Sequence, residues 1–117
     1  MSIAEPNVQS ILLGDAIEHA PAAVIVADEE GRYVAANEYA CEMLGYDRAE
    51  LVQLGVLDVA KNPEAENEFA EMIGGRTRSG TSLLRRKDGS ELMFEYRAGE
   101  TKIAGMTYYV AVGWPAE

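Results

Sequence analysis

The sequence predicts an α+β fold in which helices pack on one face of an antiparallel sheet. Three observations point there. Strand-like segments gather at the two ends of the chain, at 23–36 and from 82 onward, while helix start and stop signals crowd the middle. The breaks between neighbouring strands are short turn clusters, Asp28–Gly31 and Lys87–Ser90, which join antiparallel partners and leave no room for a parallel crossover. Strands at opposite ends of a chain share one sheet only if the chain returns across it, so the helical midsection would roof a pocket over that sheet.

The first helix spans about residues 8–20. Leu13, Ile17 and Ala20 give a narrow apolar stripe, Val8, Ile11 and Leu12 add a second patch, and Pro21 ends it. Gly14 costs roughly 1 kcal/mol relative to alanine, so this helix needs tertiary or partner support. Ala23–Ala27 (AVIVA) and Tyr33–Ala36 read as a hairpin, with Gly31 at the turn position that needs positive φ. Asn37 suits a helix N-cap and Gly45 the residue past the helix end, while Asp47 and Glu50 have capping-box spacing. Residues 54–61 read as a loop or a single helical turn.

Asn62-Pro63-Glu64 is a helix start, and Gly74-Gly75 closes that helix. Ala65, Phe69, Met72 and Ile73 form its apolar stripe. From residue 76 the period becomes two. Ser82–Arg86 and Glu91–Ala98 form a hairpin in which Leu92, Phe94, Tyr96 and Ala98 share one face and Glu91, Met93, Glu95 and Arg97 the other. Gly99–Gly105 reads as a connection and Met106–Gly113 as the last strand. There Tyr108, Val110, Val112 and Trp114 alternate with Thr107, Tyr109 and Ala111.

At 117 residues the chain is one domain in size, and 48% hydrophobic with 26% charged residues is the composition of a folding sequence. No apolar run approaches the ~20 residues of a membrane helix, and the N-terminus lacks the basic start and apolar core of a signal peptide. The expected compartment is therefore the cytoplasm, where the lone Cys41 stays reduced. One cysteine also excludes an internal disulfide and a multi-cysteine metal site. A net charge of −10 argues against nucleic acid and anionic membrane as partners. The charge is uneven: residues 1–75 carry three basic and fifteen acidic groups, residues 76–117 seven and five.

Ala16-Ile17-Glu18-His19-Ala20-Pro21, Ala27-Asp28-Glu29-Glu30-Gly31-Arg32, Ala36-Asn37, Leu44-Gly45-Tyr46, Glu50-Leu51 and Arg86-Lys87-Asp88-Gly89-Ser90 follow one another in an order that resembles the PAS family over about residues 13–113. The resemblance implies a five-stranded antiparallel sheet of order 2-1-5-4-3, helices over one face and an internal pocket. It further implies a module that passes a ligand, redox or light signal to an effector, often as a dimer. On this reading residues 1–20 are an N-terminal, dimerising helical segment and residues 21–117 the PAS domain. The family's closing Asp-Ile-Thr-like triplet is replaced by Gly113-Trp114-Pro115, which leaves both a stand-alone domain and a fragment of a larger sensor open.

Met43, Leu44, Phe69, Met72, Ile73, Phe94 and Tyr96 are the candidate pocket residues, and a packed core explains the same stripes. No metal site or catalytic group is expected. PAS haem proteins generally use a histidine on the long central helix, here about 63–74. The single histidine, His19, lies before it and outside the expected pocket. The Asn-Cys-Arg-Phe string of flavin photoreceptors is absent, so flavin–cysteine chemistry is not expected and the cofactor stays unknown. Asp28, Asn37 and Asp88 are explained by turns and caps. Three functions stand: a sensory domain binding a small apolar or aromatic ligand and reporting to an effector or output domain, a ligand-free homodimerising interaction module, and a small isomerase-like enzyme.

Overall fold

A computed structural model describes residues 2–61 and 78–116. In chain order they form α1 (Pro6–Glu18), β1 (Ala23–Ala27), β2 (Tyr33–Ala36), α2 (Glu38–Leu44), α3 (Arg48–Leu51), α4 (Val56–Val59), β3 (Arg78–Arg85), β4 (Glu91–Ile103) and β5 (Met106–Pro115). The helix expected at about 63–74, with Phe69, Met72 and Ile73, lies outside the described residues. The strands form one antiparallel sheet of order β2-β1-β5-β4-β3, so the first strand meets the last at its centre.

Helix α1 starts earlier than its apolar pattern suggests. Glu5 caps it by accepting hydrogen bonds from the backbone N–H groups of Asn7 and Val8, and Pro6 occupies a first-turn position that needs no N–H partner. No residue of α1 is buried; Ile11 is 66% exposed, and Leu12, Leu13 and Ile17 are exposed as well. Its C-terminal end is tied to the domain. Arg48 pairs with Glu18, His19 Nδ1 lies 2.9 Å from Glu38 Oε2, and Asn37 Nδ2 donates to the Ile17 carbonyl at 2.8 Å.

The turn and cap chemistry is as the sequence predicts. Asp28 Oδ1 accepts from the N–H groups of Glu30 and Arg32, Asn37 caps α2, Gly45 closes it, and Asp47 and Glu50 make a reciprocal capping box on α3. The region 99–105 differs. Strand β4 runs on to Ile103, and a two-residue turn at Ala104-Gly105 connects it to β5. Both turn residues have positive φ (51° and 80°), the geometry that matches the twist of a tight hairpin. Continuous pairing with β5, from Gly99–Val110 to Ile103–Met106, supplies the partner that local polarity at Glu100, Thr101 and Lys102 conceals. β3 likewise starts at Arg78, four residues before Ser82.

The core lies between the inner face of the sheet and the short helices. Ala23, Ile25, Ala27, Leu84, Leu92 and Phe94 come from the sheet, and Ala40, Leu44, Leu51 and Val59 from the helices. The segment 54–61 spans the two edge strands. At one edge Val56 N–H donates to the Gly31 carbonyl (2.8 Å) and Tyr33 N–H to the Leu54 carbonyl (3.0 Å). At the other, Lys61 N–H donates to the Leu83 carbonyl (2.8 Å). The approach to β2 needs glycine, because a Cβ at Gly55 would sit 2.8 Å from the Gly31 carbonyl oxygen.

Candidate functional site: a cavity on the inner face of the sheet

Beneath this strap lies a cavity of about 90 Å³. Alternation selects most of the side chains that reach it, although on β5 the consecutive Tyr109, Val110 and Ala111 all line it. Ile25 and Ala27 of β1, Leu84 of β3, Phe94 and Ala98 of β4 and Ala111 of β5 supply apolar wall, and Val56 and Ala60 close it from the strap. The aromatic rings of Phe94 and Tyr96, two residues apart on one face, stack at 6.0 Å with their planes 7° apart.

The polar residues that line the cavity, Tyr33, Ser82, Tyr96 and Tyr109, all carry hydroxyls. They are not equivalent. Arg78 Nε donates to the Tyr96 hydroxyl oxygen at 3.0 Å. Tyr33 is only 7% exposed, and its hydroxyl has no hydrogen-bond partner among the described residues. Burial, and secondarily the nearby Asp58 carboxylate, push its phenol well above the ordinary value, so the group is a neutral O–H at any working pH. The Asp58 carboxylate is engaged by the Gly55 N–H at 2.8 Å.

Of the pocket residues expected from the sequence, the structure brings Phe94 and Tyr96 to the cavity. Leu44 and Met43 are elsewhere. Leu44 is fully buried in the core, and Met43 packs at the core margin, its carbonyl accepting from Arg86 Nε at 3.1 Å. Phe69, Met72 and Ile73 are outside the described residues. Sequence reasoning missed Tyr33, Ile25, Val56 and Leu84. The available signal was phase. Once Ala23, Ile25 and Ala27 face inward, the antiparallel register pairing Ala27 with Tyr33 carries Tyr33 inward too.

His19 caps the end of α1 at the surface, bonded to Glu38 and away from the cavity wall. Cys41 is half-buried, and burial raises its thiol above the ordinary value while the Arg48 guanidinium beside it acts the other way. No group of three His, Cys, Asp or Glu side chains among the described residues could hold a metal ion. No helix among them is long and apolar enough to cross a membrane. On the opposite face of the sheet an open groove runs over Ser79, Thr81, Arg97, Val112 and Trp114, where Trp114 Nε1 donates to Glu95 Oε2 at 3.1 Å.

A family model described as a PAS domain matches residues 21–113. Comparison with curated proteins gives no match. Among solved structures, the PAS domain of an HTR-like protein from Haloarcula marismortui superposes with a TM-score of 0.83 at 23% identity, covering 95% of this chain and 94% of that one. A domain of a sensory box sensor histidine kinase/response regulator from Geobacter sulfurreducens gives 0.80 at 21% identity, covering 95% and 98%. The PAS domain of nitrogen regulation protein NR(II) from Vibrio parahaemolyticus gives 0.76 at 13% identity, covering 90% and 98%. At these identities the likeness is one of fold.

Proposed function

The chain belongs to the PAS domain family, and from that premise we propose that it is a cytoplasmic sensory domain. It takes a small ligand in the inner-face cavity and regulates an effector or output domain, with residues 1–20 as a dimerisation helix and 21–117 as the sensing unit. The observation that carries this reading is the cavity itself, an apolar space over the centre of the sheet whose wall includes Tyr33. Structural neighbours named as a sensor histidine kinase/response regulator and a nitrogen regulation protein support the sensory role by analogy of fold.

A second reading, an interaction module without ligand, draws on α1. Ile11, Leu12, Leu13 and Ile17 leave an apolar surface on a helix with no buried residue, which favours a partner helix or a second copy. The described cavity wall carries hydroxyls and no carboxylate, so no observation favours the isomerase-like reading.

Native mass spectrometry of the full chain, compared with its denatured mass, tests both arms. A dimer carrying extra mass that is lost on denaturation is the expected result, with Leu12→Asp shifting the dimer to monomer. A bare-chain mass in protein that also takes up no small apolar probe overturns the ligand arm and leaves the interaction module. A monomer at every concentration overturns the dimer arm.

A further inference from the structure

We infer that the cavity selects small, neutral ligands bearing one hydrogen-bond acceptor, and that the Tyr33 hydroxyl is the donor that reads it. This rests on the reading of the cavity as a ligand site and adds the class of ligand and the residue that discriminates.

Three observations carry it. First, size: a cavity of about 90 Å³ is smaller than the engineered apolar cavities of about 150 Å³ that admit benzene, so the guest is a short branched chain of fewer heavy atoms than benzene. Second, the wall: Ile25, Leu84, Phe94 and Ala98 offer dispersion contacts, and no lysine or arginine lines the described wall. An anion entering there would lose its hydration with no cation on the described wall, and the Arg78 guanidinium is already engaged with the Tyr96 hydroxyl, which disfavours carboxylates and phosphates. Third, Tyr33: its side chain lines the cavity, and its hydroxyl bonds no described residue and is not sealed in the core, which leaves its O–H available to a guest.

The direction of that bond follows from the chemistry. A phenol is a stronger donor than an alcohol and a weaker acceptor, because its oxygen lone pair is delocalised into the ring. The complementary guest therefore presents an acceptor, such as a ketone, ether or ester oxygen, set in an otherwise apolar frame. The neighbouring Tyr96 oxygen already accepts from Arg78 and is not equivalent to it. Tyr33 sits at the first residue of β2, and its N–H bonds the strap through the Leu54 carbonyl. The donor is thus anchored on the rigid edge of the sheet where the strap closes the cavity.

The test uses an isosteric pair, acetone and isobutene, which differ in the acceptor and little in shape, with acetate, of the same heavy-atom count, as the charged control. Each is titrated into the intact wild-type chain and into Tyr33→Phe, with amide chemical shifts of the inner-face strands as readout and a thermal melt to confirm that the variant is folded. The ratio of the two Kd values isolates the acceptor's contribution, since the cost of desolvating the ketone cancels between the proteins. In wild type the ratio favours the ketone by about three- to tenfold more than in Tyr33→Phe, the value of one neutral hydrogen bond. Equal ratios in the two proteins overturn the role of Tyr33 while leaving the cavity a ligand site. A carboxylate that binds tighter than the ketone overturns the neutral class. Binding of none of the three overturns the inference together with the reading on which it rests.

Discussion

Replacing Asn37 by alanine should cost about 3 kcal/mol of stability, far more than a helix cap alone. The Asn37 side chain is buried and makes four hydrogen bonds. Its Oδ1 accepts from the N–H groups of Val24 (3.0 Å) and Ala40 (3.1 Å), and its Nδ2 donates to the carbonyls of Ile17 (2.8 Å) and Ala22 (2.9 Å). One side chain thereby joins the end of α1, the turn into β1, the first pairing of the sheet and the start of α2. Losing the cap costs ~1 kcal/mol. The other three bonds are worth roughly 0.5–1.5 kcal/mol each, and water recovers part of that because those sites are only partly buried. The sum of about 3 kcal/mol corresponds to a fall in Tm of roughly 10–20 °C for a domain of this size. Urea unfolding followed by far-UV circular dichroism measures it, with an unchanged m-value as the check that the unfolded state is the same. Asn37→Ser keeps a capping oxygen but cannot reach Ile17 or Ala22, so it should recover only ~1 kcal/mol of the loss. If alanine costs ~1 kcal/mol or less, or serine restores full stability, Asn37 is a plain cap and the four-way tie carries no weight.

Two further outcomes are expected. Gly113→Ala should destabilise by about 1–3 kcal/mol through overpacking and should shrink the cavity, because its Cβ would lie 2.2 Å from the Glu95 carbonyl oxygen and 2.6 Å from Phe94 Cζ. Unfolding midpoints and uptake of acetone together report this, and an unchanged midpoint would mean the sheet yields freely there. Lys87 holds the Glu50 carboxyl below its ordinary value, and Ser90 does the same for Asp88, so the stability they add is complete above the ordinary carboxylate range and is lost as pH falls through their lowered folded values. Urea midpoints across pH 2–7 should decline on that acid limb, and Glu50→Gln should flatten part of the decline.

Much of the frame is legible in the sequence because turn and cap chemistry is local. Asp28, Asn37, Asp47 with Glu50, and Asp88 with Ser90 each bond to amides two to four residues away, and residue type and spacing alone specify such bonds. Phe94 was legible as well, since strand alternation puts Leu92, Phe94 and Ala98 on one face, and all three are buried. What escaped was set by distant chain. Residues 99–103 are strand only because β5 pairs with them, and Arg78–Thr81 because β4 does. The strap at 54–61 has no helical or strand period, and its place follows from bonds to Gly31 and Leu83, neither of which is adjacent in sequence. Tyr33 sits in a four-residue strand too short for its phase to be fixed without the register against β1.

The arrangement also bears on how a guest in the cavity would be felt outside it. A ligand shifts a conformational equilibrium only by its differential affinity for the two states, and a tenfold difference is about 1.4 kcal/mol. Lifting the strap would break the bonds of Val56 to Gly31, Tyr33 to Leu54 and Lys61 to Leu83 together, well beyond that allowance if each is worth ~1 kcal/mol. The sheet offers the softer route. It is a single layer, and β5 alternates Tyr109 and Ala111 on the cavity side with Val112 and Trp114 on the outer side. β4 does the same with Phe94 inside and Glu95 outside, and Trp114 bonds Glu95 across the strand pair. A displacement of Phe94 or Ala111 by a guest is therefore one backbone away from the Trp114 groove. At the β2 end, the same sheet passes through Asn37 to the carbonyl of Ile17 and so to the foot of α1. Under the sensory reading the exposed surfaces that respond to occupancy are the outer face at Val112–Trp114 and the root of α1, and the strap stays closed over its guest.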